Sequence, residues 1–407
     1  MSERRFTNAL AAFIWRWRLP LSAFMVVGAL ALSPRANVTA IDNDITAWFS
    51  REDPVYRDYE RFRREFGGTR TLMVALQADT PDRLFSRDTL QFIEDVTGDI
   101  ERVDTVHRVD SLATATIVEA LPPSAGEDGG LDVRPLVENA ATASPEEVRR
   151  RAMQDDLLRG DLVSESGTVT AIVVSFDEDR IDAVRGGVIQ QIHDLVDPRL
   201  PPGIRAYYNG SLEISETYNR ITLDNQLKFT PPILIFTILA IYAAFRSWRK
   251  TMLAMFAILI SIFWTLGLYS LLGFSYNVLT SMLVPLVVVL AIADDVHIMQ
   301  RWDEARRHGS TEQAFRETVS HLATPLFGAS VTTALGMLSL ATSNVVAVRS
   351  FGIGSAIGIM VDFAVSLVLV PTLLTFVASR GPAVVPPHEK YLVGPLRRVA
   401  RFTTTYP

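Results

Sequence analysis

Two adjacent aspartates, Asp294 and Asp295, interrupt the apolar run Leu283-Val-Pro-Leu-Val-Val-Val-Leu-Ala-Ile-Ala293, which continues as Val296-His297-Ile298-Met299. The run is long enough to enter a membrane. A charged side chain at the centre of a bilayer costs about 2.5–3.5 kcal/mol on insertion scales. Acids in such a run therefore point to a use, and the chemistry they suit is the relay of protons or other cations. Two carboxylates this close resist ionising together, so one of them keeps a proton to pass on. On a helix Asp294 and His297 share a face, while Asp295 is turned by about 100°. His297 could join the relay, because histidine titrates near neutrality, or stand as an interface residue. Thr332 and Thr333 lie in another apolar run. They could hydrogen-bond the Asp294 carboxylate, or bond back to the carbonyl one turn earlier. Asp362, at Met360-Val361-Asp362, is a further intramembrane acid that should face the bundle and have a partner. The plainer alternative ends the helix early and leaves Asp294 and Asp295 solvated at its boundary.

Six apolar runs must position these residues: Leu19 to Ser33, then about 230–245, 252–272, 279–299, 323–342 and 351–377. Each reads as a transmembrane helix. The first follows a basic amphipathic stretch (Arg4, Arg5, Arg16 and Arg18 among Phe6, Leu10, Phe13, Ile14 and Trp15). The sequence Ala36-Asn-Val-Thr-Ala40 after it is a poor cleavage site, so an uncleaved anchor is expected rather than a signal peptide. Arg246, Arg249 and Lys250 follow the second run, Arg301, Arg306, Arg307 and Arg316 the fourth, and Arg380 the sixth. The opposite loops hold a single arginine, Arg349. The positive-inside rule then places both termini in the cytoplasm and the large domain outside, periplasmic or extracellular. The stretch 301–321 is amphipathic and is expected to lie along the inner membrane face.

Of 407 residues 48% are hydrophobic, the mean hydropathy is +0.21, and the net charge is −6. That suits a membrane bundle carrying a water-facing domain and gives no reason to expect nucleic-acid binding. The absence of cysteine excludes disulfides, thiol catalysis and Cys-ligated metals. Residues 36–228 hold strand-like stretches at Thr71–Leu76, Val103–Val109, Val169–Ser175 and Ile204–Asn209, with helical patterns near 89–102 and 181–197. This order predicts an α/β domain of the split βαβ, ferredoxin-like kind. An insertion at about 112–163 carries the loop Pro122–Gly130. It also carries a helix start, with Ser144 as N-cap, Pro145 at N1 and Glu147 at N3. The predicted organisation is an amphipathic segment and first span (1–35), the α/β domain (36–228), a five-helix bundle (229–380) and a cytoplasmic linker (381–407). Pro285, Pro325 and Pro371 are expected to kink their helices. Gly352, Gly354 and Gly358 suit close helix packing. His107 and His193 show no metal-ligand spacing, and the sequence offers no nucleophile–base pair; no enzyme, cofactor or metal site is expected.

The chain resembles the resistance–nodulation–division (RND) superfamily, specifically its MMPL-type and hopanoid-exporter-like members. The resemblance rests on Trp264-Thr-Leu-Gly-Leu268, Leu271-Leu-Gly273, Leu290-Ala-Ile-Ala-Asp-Asp-Val-His-Ile298, Ser330-Val-Thr-Thr333, Arg349-Ser-Phe-Gly352 and Leu369-Val-Pro-Thr-Leu-Leu374. Trp48-Phe49, Asp53-Pro54 and Phe66-Gly67 are similar to the opening of the family's porter domain. The resemblance implies a proton- or sodium-driven exporter of hydrophobic or lipid-like substrates in the bacterial inner membrane. It implies a relay acid at Asp294; Asp295 stands where relatives carry Ser, Asp or Tyr, and Asp362 is outside the family pattern. It also implies twelve helices in two repeats, of which this chain holds one. The basic segment Leu396-Arg-Arg-Val-Ala-Arg-Phe402 is similar to residues 10–20, so the chain is read as the first half of a longer protein rather than a half-size transporter that forms homo-oligomers. One rival is a SecD/SecF-type export accessory, where Ala-Asn-Val would replace the Val-His-Ile seen here. The other is a non-transporting sterol-sensing receptor, which needs no ionisable Asp294.

Overall fold

Alternation in Thr71-Leu-Met-Val-Ala-Leu-Gln-Ala78 sends Leu72, Val74, Leu76 and Ala78 to one side, and all four are buried in the computed structural model of the chain. The structure describes residues 2–36, 41–66, 69–120, 131–178 and 180–377. Its helices are α1 (Ser2–Leu32), α2 (Pro54–Phe66), α3 (Pro81–Leu84), α4 (Arg87–Glu101), α5 (Pro145–Gln154), α6 (Ile181–Val196), α7 (Ser211–Phe245), α8 (Trp248–Leu271), α9 (Leu283–His308), α10 (Thr311–Leu338) and α11 (Val346–Val377). The strands are β1 (Thr71–Ala78), β2 (Val106–Asp110), β3 (Thr116–Ala120), β4 (Leu131–Pro135), β5 (Val169–Phe176) and β6 (Ile204–Asn209). The chain divides into an α/β unit, Asp44–Thr46 with Arg51–Tyr218, and a helical unit made of the remainder. The expected loop Pro122–Gly130, the Gly67 of Phe66-Gly67, Arg380 and the basic segment 396–402 lie outside the described residues.

In the α/β unit β1 lies between β5 and β6, and β2 adds beyond β5, giving the antiparallel order β2-β5-β1-β6. Helix α4 connects β1 to β2 and α6 connects β5 to β6. Leu90, Ile93, Val96 and Ile100 form a helical stripe on α4, and Ile181, Val188, Ile192 and Val196 form one on α6. Both stripes join Leu72, Val74, Ile172 and Val174 in one core. Burying each such side chain stabilises the unit by about 1.5–3 kcal/mol. Two sequence expectations need correction here. The strand expected from Val103 begins only at Val106, because Thr105 turns the chain with φ 77°. Ser144 is the N-cap of α5 by position, but its hydroxyl donates to Glu146 Oε2 instead of capping the backbone, and Glu147 pairs with Arg150 and Arg151. The β3–β4 hairpin in the insertion was not anticipated.

Glycine is required where β6 turns into α7. Gly210 has φ +115°, and a Cβ there would stand 2.4 Å from the Thr71 carbonyl oxygen. A buried ion network holds the same end of the unit. Asp44 Oδ1 accepts from Thr46 N (2.8 Å) and Thr46 Oγ1 (2.5 Å), and Oδ2 accepts from Arg70 Nη1. Arg70 Nη2 also donates to Asp182 Oδ2 at 2.9 Å. Burial pushes the Asp44 carboxyl up, but the Thr46 hydrogen bonds and the Arg70 charge prevail and hold it below the usual carboxylate range.

Among the described residues, six helices are long and apolar enough to cross a membrane: Arg5–Arg35, Ser211–Phe245, Trp248–Leu271, Thr280–His308, Thr311–Thr342 and Val346–Val377. The basic N-terminal stretch and the first apolar run form a single helix, α1. One side of α1 packs in protein: Trp15 meets Phe315 edge-on at 5.1 Å, and Gly28 lies against the Trp264 ring, whose Nε1 donates to Met25 O at 2.8 Å. The surface-lying segment expected at 301–321 is absent. Instead α9 and α10 extend to meet at Gly309, and Trp302, Ala305, Ala314, Phe315 and Val319 are buried inside the bundle. The α10 part of this apolar stripe meets the amphipathic start of α1, where Trp15 packs on Phe315, and all five residues join the bundle core. Ser310 starts α10 with a full capping box: its hydroxyl accepts from Gln313 N, and Gln313 Oε1 accepts from Ser310 N. Pro285 sits in the first turn of α9, where a missing N–H needs no partner and forces no kink. At the other end of the bundle, Asn43 Nδ2 donates to Asn219 Oδ1 and Thr222 Oγ1, and its Oδ1 accepts from Val278 N.

Candidate functional site: three carboxylates in the helical unit

The acids are the twelfth and thirteenth of the 26 residues of α9, so α9 does not end before them. Consecutive helical residues point about 100° apart, and the bundle uses that divergence. Asp295 turns inward and is 1% exposed. Asp294 is half-buried and opens on a cleft of about 470 Å³ between α9, α10 and α11. His297, one turn on from Asp294 and exposed, lines the same cleft, together with Ser330, Thr333 and Asp362.

Asp362 comes from the middle of α11 and is 2% exposed. Its Oδ1 accepts from Ser261 Oγ of α8 at 2.9 Å. Asp295 Oδ1 accepts from Ser366 Oγ of α11 at 2.8 Å, and its Oδ2 is buried without a hydrogen-bond partner. Asp295 is within electrostatic reach of both Asp362 and Asp294. Three carboxylates therefore gather where α8, α9 and α11 pack, each of the two buried ones held by a single serine. Serine hydroxyls can donate and accept, so the set can hold a proton or hand it between oxygens. Among the described residues, no group of three or more His, Asp or Glu side chains could hold a metal ion.

The threonines behave differently from the acids. Thr332 Oγ1 donates to the carbonyls of Gly328 and Ala329, and Thr333 Oγ1 to that of Ala329. Neither makes the hydrogen bond to Asp294 that the sequence left open; both bond back into α10. Both are exposed; Thr333 still lines the cleft, whereas Thr332 is not among the residues that line it. Ser261 and Ser366 escaped the sequence reading. Ser366 stands one turn after Asp362, and that spacing was the available signal; serine in an apolar span is otherwise too common to single out.

Among its described residues, the α/β unit has no comparable cluster of buried acids. His107 is exposed on β2. His193 stacks on the Tyr208 ring at 3.7 Å and lies 3.3 Å from Glu213 Oε2, while the Tyr208 hydroxyl donates to Asp197. Burial and the Asp197 hydrogen bond push the Tyr208 phenol up.

The sequence profile of the MMPL family matches residues 47–407. MJ1562 of Methanocaldococcus jannaschii, described as a membrane protein, is 23% identical over 334 residues, 80% of this chain and 81% of that one. Human protein dispatched homolog 1 is 31% identical over 167 residues, 40% of this chain and 10% of that one. MmpL4 of Mycobacterium leprae, described as a transport protein, is 26% identical over 209 residues, 50% of this chain and 21% of that one. The chain thus spans most of the archaeal relative, but its matches cover about a fifth or less of the other two.

Proposed function

We propose, from the premise that the chain belongs to the MMPL family of RND-type membrane transporters, that it is an integral membrane exporter driven by an ion gradient. Protons are the favoured ion and sodium the second choice. They would pass through Asp294, Asp295 and Asp362, with His297 and Thr333 at the cleft and Thr332 outside it. The cargo is hydrophobic or lipid-like. The α/β unit would work as the porter domain outside a bacterial inner membrane, with both termini in the cytoplasm. The order β2-β5-β1-β6, with α4 and α6 as crossovers, supports a split βαβ, ferredoxin-like reading of that unit. The exposed cleft beside Asp294 favours a further bundle, from a second repeat or a second copy, because ionisable groups do not face lipid. The domain divisions at 35, 228 and 380 belong to the same reading.

One observation carries the reading. Two fully buried carboxylates, Asp295 and Asp362, sit on facing helices in an apolar bundle with one serine each. Such placement is costly unless the charge is used. The test is proton flux in sealed proteoliposomes, comparing the wild-type chain, a longer chain carrying any second repeat, and Asp294→Asn, Asp295→Asn and Asp362→Asn. Flux in the wild type or the longer chain that disappears with the substitutions, while insertion is unchanged, supports the relay. Flux in no form of the protein refutes it and leaves a non-transporting sensor in its place.

A further inference from the structure

A polar seam leads away from the acids along the α8–α11 interface. On α8, Tyr269, Thr265 and Ser261 recur every fourth residue and share a face. On α11, Ser355, Asp362 and Ser366 are spaced seven and four residues apart and share another. All six are at most 2% exposed. The two faces meet closely. A Cβ on Gly354 would stand 2.7 Å from the Tyr269 ring, one on Gly358 would stand 3.0 Å from Thr265, and Ser261 bonds Asp362. Tyr269 lies beside Ser350 and Thr280, where α8 ends and α11 begins.

Much of this polarity is not spent within its own helix. Thr265 does bond back to the Ser261 carbonyl, at 2.6 Å. Ser261 instead donates to Asp362. Ser355 Oγ is fully buried and has no hydrogen-bond partner, as is true of Asp295 Oδ2. A buried hydroxyl left in this state is disfavoured by about 1–3 kcal/mol unless something polar reaches it, and a bridging water would.

We propose that this seam is the half-channel by which protons reach the acids from the Tyr269 end of the bundle, with Ser355 as its central link. The proposal rests on the relay reading above and adds the route. From Ser355 to Asp362 is seven residues, about 10 Å along α11, which bound water and the hydroxyls of Ser355 and Ser261 would bridge. Each hydroxyl accepts a proton on one lone pair and releases its own, so no net charge stays behind.

The chain has no cysteine, so single-cysteine variants report on one position each. Ser355→Cys is compared with Ala356→Cys, whose side chain faces the apolar cleft lined by Val331, Leu335 and Met360. A cationic, membrane-impermeant methanethiosulfonate is added to sealed proteoliposomes, and proton flux is measured before labelling, after it, and after reduction of the mixed disulfide. The expected result is labelling of Ser355→Cys but not Ala356→Cys, with flux falling about tenfold on labelling, a barrier change of about 1.4 kcal/mol, and returning on reduction. If the cysteine itself stops the flux and Ser355→Thr restores it, that counts as the same block. Unlabelled Ser355→Cys, or labelled protein with undiminished flux, overturns the half-channel and leaves the relay standing. A wild-type protein that passes no protons overturns the relay itself.

Discussion

Asp44→Asn separates burial from charge in the α/β unit. The substitution keeps the shape of the side chain and leaves Arg70, 5% exposed, facing a neutral amide. Arg70 Nε already lacks a partner, so the guanidinium depends on its Nη contacts. Breaking a buried pair by removing one partner typically costs 3–5 kcal/mol. Here Arg70 keeps Asp182, but that carboxylate is 46% exposed and screened by water, so we expect a loss near the lower bound, about 3 kcal/mol. Asp182→Asn should cost no more than about 1 kcal/mol, as exposed pairs do. Combining Asp44→Asn with Arg70→Met should recover part of the loss, because the charge orphaned at Arg70 is then gone, while Arg185, 3.6 Å from Asp44, stays beside the neutral amide. The pH dependence has a fixed sign. The native Asp44 carboxyl is held below its ordinary value of about 4. Its contribution is therefore complete above that value and fades as pH falls toward the native one. The gap between wild type and Asp44→Asn should be full at pH 7 and narrow below about pH 4. Hydrogen exchange of the β1 amides in the intact, detergent-solubilised chain reads this stability directly. An Asp44→Asn protein within about 0.5 kcal/mol of wild type at pH 7, inside the range of an ordinary surface change, would refute the reasoning. So would a gap that does not narrow in acid.

Three glycines should give three different outcomes. Gly210→Ala forces a Cβ toward the Thr71 carbonyl at positive φ and should cost about 1–3 kcal/mol, read as lowered exchange protection in β1 and β6. Gly28→Ala would put a Cβ 2.1 Å from Trp264, which its own hydrogen bond holds in place; we expect a loss of about 1–3 kcal/mol, read as a lower melting temperature of the helical unit. Gly98 lies inside α4, and a Cβ added there would meet no atom within 4 Å, so Gly98→Ala should stabilise the α/β unit by about 0.5–1 kcal/mol, read by the same exchange experiment.

The six apolar helices were legible because hydropathy over a span outweighs any local propensity. The end of α9 was not. Past Met299 the chain turns charged and looks like a loop, yet Trp302 and Ala305 continue the buried stripe of α9 into the bundle, which only the packing of the other helices reveals. The strands β1, β5 and β6 could be read from β-branched and alternating residues. The β3–β4 hairpin could not, because its partners are separated by the Pro122–Gly130 stretch and neither is long. At the candidate site, the sequence shows that Asp294 and Asp295 diverge by about 100°, but not which of them turns inward. That depends on α11, which supplies Ser366 and Asp362 from about 70 residues away. The link between Arg70 and Asp44 was equally hidden, since neither residue sits in a pattern that marks it as buried.

The packing of α1 bears on how the chain is made. Gly28 awaits Trp264, and Trp15 awaits Phe315, residues that leave the ribosome 236 and 300 positions later. At about 5–20 residues per second the first of these waits lasts roughly 12–47 s. Throughout that time α1 lacks these partners and its notch at Gly28 is unfilled, while the α/β unit is being synthesised. Bundle assembly is thus closed late, by α8 and α10 arriving at a helix inserted first.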